Sequence, residues 1–349
     1  MIAGGGTGGH AIPALCVADS LRERGVAVEF IGSHLGIERD LVPKAGYPLH
    51  PLHLTGLAGN PISQARAGLQ SVRAISSCRH IIQRIRPWAV LGVGGYASAP
   101  AVAAARTLGV PTFLHEQNSV PGRVNRVASH FTRETLVTFP AAGEHLKRAR
   151  WVGMPTRAEV FRATKEEALR ELGLEPQVVL IFGGSGGALK INAAAAAAFR
   201  GSTAYTVVQV SGRRDFERLA TDNPRHRILD YVDDIWRYLA AADVVVSRAG
   251  AGSLFDIAAA GRAAVLIPFP HATGDHQLYN ARYFTEKGAA ESMLDSEVSA
   301  AALRDRVEEL LNDDQRRERL ALRIGALATP EAATQVAERL LGDAEEERA

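Results

Sequence analysis

The chain has 349 residues, of which 46% are hydrophobic and 22% are charged. Because a domain averages about 150 residues, this length favours two globular domains with substantial cores. The two cysteines, Cys16 and Cys78, argue against a disulfide framework and a structural metal site, and they favour a reducing cytoplasm. The sequence has no run of about 18 apolar residues that would span a membrane.

The net charge of +2 is unevenly distributed, because no acidic residue lies between Asp40 and Glu116. The basic residues of that stretch are either scattered and solvated, or they form a basic face that meets anionic lipid or a pyrophosphate. Within it, apolar residues of segment 61–86 recur at helical spacing. They predict a helix whose apolar face packs on the core or, alternatively, rests on a membrane.

The chain opens with the apolar run 1–3, the glycine-rich loop 4–10 and a helical pattern over 12–24 that ends at Gly25. Such a loop presents backbone N–H groups at a helix start to phosphate oxygens. Gly4, Gly6 and Gly9 match the dinucleotide pattern G-x-G-x-x-G, whose supporting acid should follow the second strand. Glu29 falls inside the predicted strand 26–31 instead, so a redox enzyme is disfavoured.

Apolar runs predict further strands, and helical patterns lie between them. The runs are 89–91, 111–114, 178–182, 205–208, 243–246 and 264–267. This alternation is typical of parallel sheets covered by helices on both faces. A second glycine loop, 183–187, follows the run 178–182. The duplication predicts an α/β protein of two Rossmann-like domains that face a shared cleft and take phosphorylated substrates.

His10 follows the first loop at the expected helix N-terminus, where the helix dipole disfavours the imidazolium form. A neutral imidazole at this position is a candidate general base for a hydroxyl that attacks the substrate. The alternative is a histidine that binds a phosphate or caps the helix. Three further loops at strand ends point to the same cleft, namely 94–96, 115–118 and 247–253.

Several polar residues of these loops carry candidate roles with structural alternatives. Arg248 is a candidate to balance a diphosphate or to form a structural ion pair. Asp256 is a candidate acceptor of hydrogen bonds from ribose or sugar hydroxyls, and helix capping is the alternative. Gln277 is a candidate to bind a sugar hydroxyl through its amide, and a surface helix start is the alternative. Capping is also the alternative for Glu116. Since no Asp-x-Asp pair follows a predicted strand, we expect backbone N–H groups and arginine to stabilise a diphosphate without a metal ion.

Taken together, the motifs 4–10, 94–96, 115–118 and 247–250 closely resemble one enzyme family, in register over essentially the whole chain. This family is the peptidoglycan transferase that adds N-acetylglucosamine from its UDP donor to undecaprenyl-pyrophosphoryl-MurNAc-pentapeptide. The resemblance implies the GT-B fold with an acceptor domain, 1–155, and a UDP-sugar domain, 156–330. It also implies a C-terminal helix, about 331–349, that packs back on the first domain.

The resemblance assigns site residues by match to the family's motifs. Donor contacts fall on Thr7, Gly8, Gly9, Asn118, Arg157, Ser185, Val232, Ala251, Gly252, Ser253, Leu254, Phe255, Asp256 and Gln277, and Arg248 joins them through its charge. Asn192 would support the second loop on the donor side. Gly94, Gly95, Tyr96 and His115 fall on the acceptor side, with Glu116 supporting catalysis. Asp256 stands where some relatives have a glutamate, which makes its ribose contact one methylene shorter.

We therefore expect inverting transfer, in which His10 deprotonates the MurNAc C4 hydroxyl as it attacks the anomeric carbon of UDP-N-acetylglucosamine. The expected partners are this donor, the lipid-linked MurNAc-pentapeptide and an anionic membrane surface at the cytoplasmic face of the bacterial plasma membrane. No cofactor, metal ion or nucleic acid is expected. A diacylglycerol glycosyltransferase, a UDP-sugar 2-epimerase of the same fold and a non-catalytic nucleotide-sugar-binding protein are the alternatives.

Overall fold

The computed structural model describes residues 1–53, 61–95, 97–184 and 188–346, and their side chains except those of 61–72 and 343–346. The chain divides into two compact units. The N-terminal unit is Met1–Pro155 with Glu331–Ala349, and the C-terminal unit is Thr156–Pro330. Among the described residues, no helix combines the length and the apolar composition that crossing a bilayer requires.

The N-terminal unit contains a seven-stranded parallel sheet in the order β3-β2-β1-β4-β5-β6-β7. Its strands are β1 (Ile2–Ala3), β2 (Phe30–Ser33), β3 (Leu49–Leu52), β4 (Val90–Gly92), β5 (Thr112–Glu116), β6 (Glu134–Val137) and β7 (Ala149–Trp151). Its first helices are α1 (Gly8–Glu23), α2 (Glu38–Lys44), α3 (Pro61–Ile85), α4 (Ser98–Thr107) and α5 (Arg123–Ala128).

The C-terminal unit contains a six-stranded parallel sheet in the order β10-β9-β8-β11-β12-β13. Its strands are β8 (Val178–Phe182), β9 (Thr206–Val210), β10 (His226–Leu229), β11 (Val244–Ser247), β12 (Ala263–Leu266) and β13 (Glu291–Ser292). Its helices are α6 (Ala158–Arg162), α7 (Lys165–Leu172), α8 (Leu189–Ala198), α9 (Arg213–Phe216), α10 (Ile235–Ala241), α11 (Ala251–Ala260), α12 (His276–Thr285), α13 (Ala300–Asn312) and α14 (Asp314–Gly325).

The last helix, α15 (Ala332–Glu346), belongs to the N-terminal unit and packs on α1. Val336, Ala337 and Leu340 are buried in the same core as Val17 and Leu21 of α1. Removal of this apolar surface from water supplies the packing energy, at about 25 cal/mol per Å². The chain thus returns to its first domain after completing the second.

Each sheet has its reversal of strand order at one place, between β1 and β4 in the first sheet and between β8 and β11 in the second. Ligands of open parallel sheets bind beyond the carboxyl ends of the strands at this position. Both glycine loops begin there, because the first follows β1 and the second follows β8. The fold therefore presents equivalent loops at equivalent positions in the two units.

The ends of the predicted strands from residue 89 onwards agree with the structure to within one or two residues. The strand predicted at 26–31 is shorter in the structure and shifted towards the C-terminus, to Phe30–Ser33. The first helix begins at Gly8, earlier than residue 12, because the glycines at its start adopt helical geometry. Segment 61–86 forms one helix, α3, whose described residues Ala74, Cys78 and Ile82 pack in the core. This packing agrees with the core-facing interpretation for that half of the helix.

Five strands escaped prediction, namely β3, β6, β7, β10 and β13. All five are short, and most lie at or near the sheet edges, where one side of the strand is solvated. All three residues of β7 are exposed, so no apolar run marks this strand in the sequence.

The stability of the C-terminal unit should depend on keeping His226 neutral. This buried histidine donates from Nε2 to Gln209 Oε1 at 3.1 Å, and burial lowers its pKa to about 4. The stability that a depressed histidine pKa represents is present above the ordinary pKa of about 6.5 and is lost as the pH falls towards 4. Between pH 7.5 and 5 we expect the wild type to lose about 2 kcal/mol at this site.

Urea unfolding at pH 7.5 and pH 5 measures this loss. The His226→Gln variant keeps a hydrogen-bond donor but cannot be protonated, so its stability should change less over the same interval. An equal loss of stability in the variant and the wild type would contradict the assignment.

Candidate active site

In the first glycine loop, the backbone N–H groups fall into two sets: those bonded within the protein and those at the start of α1. The N–H groups of Gly4, Gly5 and Gly6 are all bonded within the protein, to Ile31 O at 3.0 Å, Gly94 O at 3.4 Å and Glu38 Oε2 at 2.6 Å. The N–H groups of Gly8 and Gly9 belong to the first turn of α1, which has no intrahelical acceptors for them. The anion-binding capacity of this loop therefore lies at the helix start.

Glu38 is the residue that holds the loop, and sequence reasoning missed it. Its side chain is 1% exposed, and its second oxygen, Oε1, accepts the Ser33 N–H at 2.8 Å. A Cβ at Gly5 or Gly36 would overlap this carboxylate, so both positions require glycine. The sequence signal that could have revealed Glu38 is an acid after the second strand. Glu38 comes five residues beyond Ser33, at the start of α2, and this helix turns back onto the loop.

His10 lies in the first turn of α1, as predicted, and is half-buried. Its Nδ1 is 3.0 Å from Thr7 Oγ1, and the Nε2 edge of the ring faces Gly94, where an added Cβ would lie 3.1 Å away. If Nδ1 carries the proton and donates it to Thr7, Nε2 has a lone pair available to accept a proton. The structure thus brings Thr7, His10 and Gly94 together.

The loop after β4 fits against the first glycine loop at close range. Gly94 and Gly95 have φ angles of +87° and +78°, and a Cβ at Gly95 would overlap the Gly5 carbonyl oxygen. These two predicted acceptor-side residues therefore have a packing role that only glycine can fill. Tyr96, which was predicted beside them, lies outside the described residues.

His115 is buried at the end of β5 and does not reach the surface. Its Nε2 donates to Gly153 O at 3.3 Å and its Nδ1 lies 3.0 Å from Gln117 Nε2. Burial, reinforced by His10, lowers the pKa of His115 to about 4, against the opposing hydrogen bond to Gly153. The side chain of His115 thus lies inside the domain, and its predicted place on the acceptor side stays a prediction.

Glu116 is also buried, and its carboxylate organises the loop that follows β5. It accepts the Asn118 N–H at 3.0 Å, the Gly122 N–H at 3.0 Å and Asn125 Nδ2 at 2.9 Å. Burial raises the pKa of Glu116, although these donors oppose the shift. The two backbone donors, Asn118 and Gly122, precede α5, so Glu116 holds the loop and does not cap a helix turn. A supporting role of Glu116 in catalysis stays a prediction.

In the C-terminal unit, Arg248 follows β11 and its side chain is 9% exposed. Nη1 lies 2.7 Å from Asp295 Oδ1 and donates to the carbonyls of Ile267 and Pro268 at 3.2 and 3.3 Å. The ion-pair alternative therefore describes the structure without ligand. A role of Arg248 toward a diphosphate stays a prediction. It requires the guanidinium to bind the diphosphate in addition to, or in place of, Asp295 and the two carbonyls.

Helix α11 begins at Ala251, so the predicted donor segment 251–256 is the first turn and a half of a helix. Gly252 and Ser253 are half-buried, and the helix start offers N–H groups to an anion. Leu254 and Phe255 are buried in the core, and Phe255 packs edge-to-face on Phe284. Side-chain contact of these two residues with a donor is therefore excluded, and only the backbone of the turn remains available.

Asp256, Arg157 and the segment around Val232 lie close together in this unit. Arg157 Nη1 donates to the carbonyl of Asp233, next to Val232, at 3.2 Å. Burial raises the pKa of Asp256 to about 6, and the positive charge of Arg157 opposes the shift. The Arg157 guanidinium, the Asp256 carboxyl and the half-buried backbone around Val232 thus lie near one another.

The remaining predicted donor residues have mixed outcomes. Gln277 Oε1 accepts the Phe269 N–H at 3.0 Å, which fixes the orientation of this amide at the start of α12. Asn192 is fully buried and donates to Ser211 O at 2.8 Å and Asp215 Oδ2 at 3.0 Å. Its side chain is thus engaged inside the C-terminal unit, and the predicted supporting role of Asn192 on the donor side stays a prediction. Ser185 lies outside the described residues.

Family models match both units of the chain. The glycosyltransferase family 28 N-terminal domain matches residues 1–137, and the glycosyltransferase family 28 C-terminal domain matches residues 178–336. These matches define the class, a glycosyltransferase with two parallel-sheet α/β domains of the GT-B fold.

Individual relatives narrow the class. A UDP-N-acetylglucosamine–N-acetylmuramyl-(pentapeptide) pyrophosphoryl-undecaprenol N-acetylglucosamine transferase of Rubrobacter xylanophilus is 65% identical over 93% of this chain and 98% of its own. The enzyme of the same name from Acidithiobacillus ferrooxidans is 41% identical over 97% and 95%. The crystal structure of Acinetobacter baumannii MurG is 28% identical, with a TM-score of 0.76 over 98% of this chain and 99% of that one. The chain belongs to this family of N-acetylglucosamine transferases within glycosyltransferase family 28.

Loss of the Glu38 carboxylate should disorder the first glycine loop. Glu38→Ala removes the charged acceptor of two partly buried hydrogen bonds, from the Gly6 and Ser33 N–H groups, at a cost of about 1–3 kcal/mol for each. We expect a lower thermal midpoint and a loss of transferase kcat/KM that exceeds tenfold. Thermal unfolding and steady-state kinetics measure both effects.

The matched control is Asp40→Asn, which removes a charge from an exposed position of the same helix. It should behave like the wild type in both measurements. A Glu38→Ala variant that keeps wild-type kcat/KM would show that the loop does not depend on this carboxylate.

Proposed function

We propose that this chain transfers N-acetylglucosamine from UDP-N-acetylglucosamine to the MurNAc C4 hydroxyl of undecaprenyl-pyrophosphoryl-MurNAc-pentapeptide, with inversion, to form lipid II for peptidoglycan synthesis. The 65% identity to a transferase of this name over nearly the full length is the observation that carries the proposal. The structure supports it with two loop systems at the ligand-binding ends of two parallel sheets.

His10 is proposed as the general base. Its Nδ1 bond to Thr7 orients the ring, and the helix N-terminus favours the neutral imidazole. Nε2 then takes the proton of the acceptor hydroxyl as the oxygen attacks the anomeric carbon, while the bond from that carbon to the UDP oxygen breaks. The electron pair of the broken bond leaves with UDP.

The charge on the departing UDP is proposed to be stabilised without a metal ion. Arg248 and the N–H groups at the start of α11 are the groups that the C-terminal unit offers at the reversal of strand order. Asp256 is proposed to accept hydrogen bonds from ribose, Gln277 to bind a sugar hydroxyl, and the backbone at Val232 to line the uracil site.

The experiment that tests the function measures UDP release from UDP-N-acetylglucosamine, with and without a short-chain lipid-linked MurNAc-pentapeptide, in the presence of EDTA. Release that requires the acceptor is expected. Release without the acceptor, or conversion of the free donor, would favour the epimerase alternative. Release only with diacylglycerol would favour the other lipid glycosyltransferase, and UDP binding without release would favour a binding protein. Activity that is present without EDTA and lost when EDTA is added would contradict the proposal that no metal ion is needed.

Substitution of His10 separates chemistry from binding. His10→Ala should lower kcat by about 10²–10⁴-fold, the usual contribution of a general base, because alanine cannot accept the proton. The dissociation constant of UDP should stay within about twofold, since the imidazole acts on the acceptor. Steady-state kinetics and calorimetry measure the two values, and a kcat loss under tenfold would move the base elsewhere.

Donor affinity should depend on the ionisation of Asp256. Because the pKa of Asp256 is raised to about 6, the carboxylate is present at pH 7.5 and is protonated as the pH falls towards 5. A protonated carboxyl is a poorer acceptor for ribose hydroxyls, so the dissociation constant of UDP-N-acetylglucosamine should rise about tenfold between pH 7 and pH 5.

Calorimetry with UDP-N-acetylglucosamine avoids the phosphate of free UDP, which titrates in the same range. Asp256→Asn should bind weakly with no such pH dependence, and Asp256→Glu should retain it. A wild-type affinity that does not change with pH would remove Asp256 from the ribose site.

We also propose that the N-terminal unit binds the cytoplasmic face of the plasma membrane as a peripheral protein. Val127 and Phe131, four residues apart in the chain, are 66% and 61% exposed. Phe131 borders a surface cavity of about 580 Å³ whose lining includes four arginines, namely Arg106, Arg133, Arg148 and Arg339. Apolar side chains beside arginines suit anionic lipid, because the rings enter the interface while the cations meet headgroups.

Flotation with vesicles that contain about 30% anionic lipid tests this surface. The double variant Val127→Ser/Phe131→Ser should lose most of its membrane binding while releasing UDP normally with a water-soluble acceptor. Leu322→Ser, a control at a 77% exposed position of the C-terminal unit, should bind as the wild type does. Equal binding by the double variant would place the membrane surface elsewhere.

A further inference from the structure

One carboxylate of the C-terminal unit, Asp295, lies between two cations. Its Oδ1 is 2.7 Å from Arg248 Nη1 and its Oδ2 is 3.5 Å from Lys190 Nζ. Lys190 also donates to the backbone carbonyl of Asp295. The Asp295 side chain is 17% exposed and that of Lys190 is 44% exposed, so solvent reaches this cluster from the lysine side.

Arg248 depends on this carboxylate for charge compensation. Its guanidinium is buried, its two described backbone acceptors are the neutral carbonyls of Ile267 and Pro268, and it lies 5.4 Å from the centre of the Phe269 ring. A buried guanidinium without an anion is costly. In the structure without ligand, Asp295 supplies the negative charge that the guanidinium requires.

The three residues come from loops at one edge of the second sheet. Lys190 lies in the first turn of α8, which follows the second glycine loop, and Arg248 follows β11. Asp295 begins the short 3-10 turn that follows β13. The carboxylate thus contacts Arg248, the cation predicted to balance the donor diphosphate, and Lys190, which follows the second glycine loop.

We propose that Asp295 is an internal counter-anion of the donor site, which the diphosphate of a nucleoside diphosphate or nucleotide sugar displaces from Arg248 and Lys190. This inference rests on the proposed function. The carboxylate keeps the cations in place and compensated while the site is empty, so it is a positioning residue. Competition between carboxylate and diphosphate weakens UDP binding and thereby assists release of the product.

Asp295→Asn tests the competition, because the amide keeps the shape of the side chain and loses the charge. We expect a lower thermal midpoint without ligand, a dissociation constant for UDP that falls about fivefold and a larger stabilisation by UDP. The KM for UDP-N-acetylglucosamine should fall in the same proportion. A residue with a merely structural role would weaken UDP binding when substituted, so the gain in affinity is the diagnostic result.

The matched control is Glu297→Gln, which removes the same charge from an exposed position of the same turn and keeps an amide oxygen that can accept the Leu294 N–H. It should leave the UDP affinity unchanged. In the double variant Arg248→Met/Asp295→Asn the gain should disappear, because the guanidinium for which both anions compete is absent. Lys190→Met, at a side chain that is 44% exposed, should weaken UDP binding severalfold. This variant tests the proposal even if Asp295→Asn does not fold.

Calorimetry with UDP, together with acceptor-dependent UDP release by the same preparation, separates this inference from the proposed function. UDP affinity that is unchanged or weaker in Asp295→Asn, with normal binding by the wild type, overturns the counter-anion. Unchanged affinity in Lys190→Met also contradicts it. If the wild type binds UDP without transfer and Asp295→Asn binds more tightly, the counter-anion stands and the proposed transferase fails. A wild type that does not bind UDP overturns both.

Discussion

The bond between the Glu38 carboxylate and the Gly6 N–H is the constraint on which the N-terminal site depends. With the bonds from Gly4 to Ile31 and from Gly5 to Gly94, it uses up the backbone donors of the first three glycines. The loop is thereby closed against its own domain, and only the start of α1 offers N–H groups to an anion. The same closure brings the His10 ring, the proposed general base, against Gly94.

The two units use one sheet topology with different electrostatics. The N-terminal site is built from backbone groups, the buried Glu38 carboxylate and the histidines His10 and His115, and burial lowers the pKa of His115. The C-terminal site contains cations, among them Arg157 and Arg248, beside the start of α11. This difference supports the proposed division of roles, in which the second domain stabilises the charge of the nucleotide and the first takes the proton of the acceptor.

Local patterns in the sequence were sufficient for the glycine loops, the central strands and the position of His10 at a helix start, since each depends on neighbouring residues. Contacts between distant residues were not predictable in this way. Glu38 reaches a loop 32 residues earlier, and Asp295 meets Arg248 after two further strands. For Arg248, the structural alternative of an ion pair describes the observed contacts, whereas Glu116 holds its loop without capping a helix. Burial also decided the cases of Leu254, Phe255, Asn192 and His115, whose residue types alone do not reveal which side chains face inward.

The most direct test of this account is a crystal structure of the chain with UDP-N-acetylglucosamine bound. The account predicts that Glu38 remains bonded to the Gly6 N–H and that donor oxygens near α1 accept from Gly8 or Gly9. A diphosphate that accepts from Gly5 or Gly6, with the Glu38 carboxylate displaced, would contradict the separation of the loop into a closed part and an anion-binding helix start.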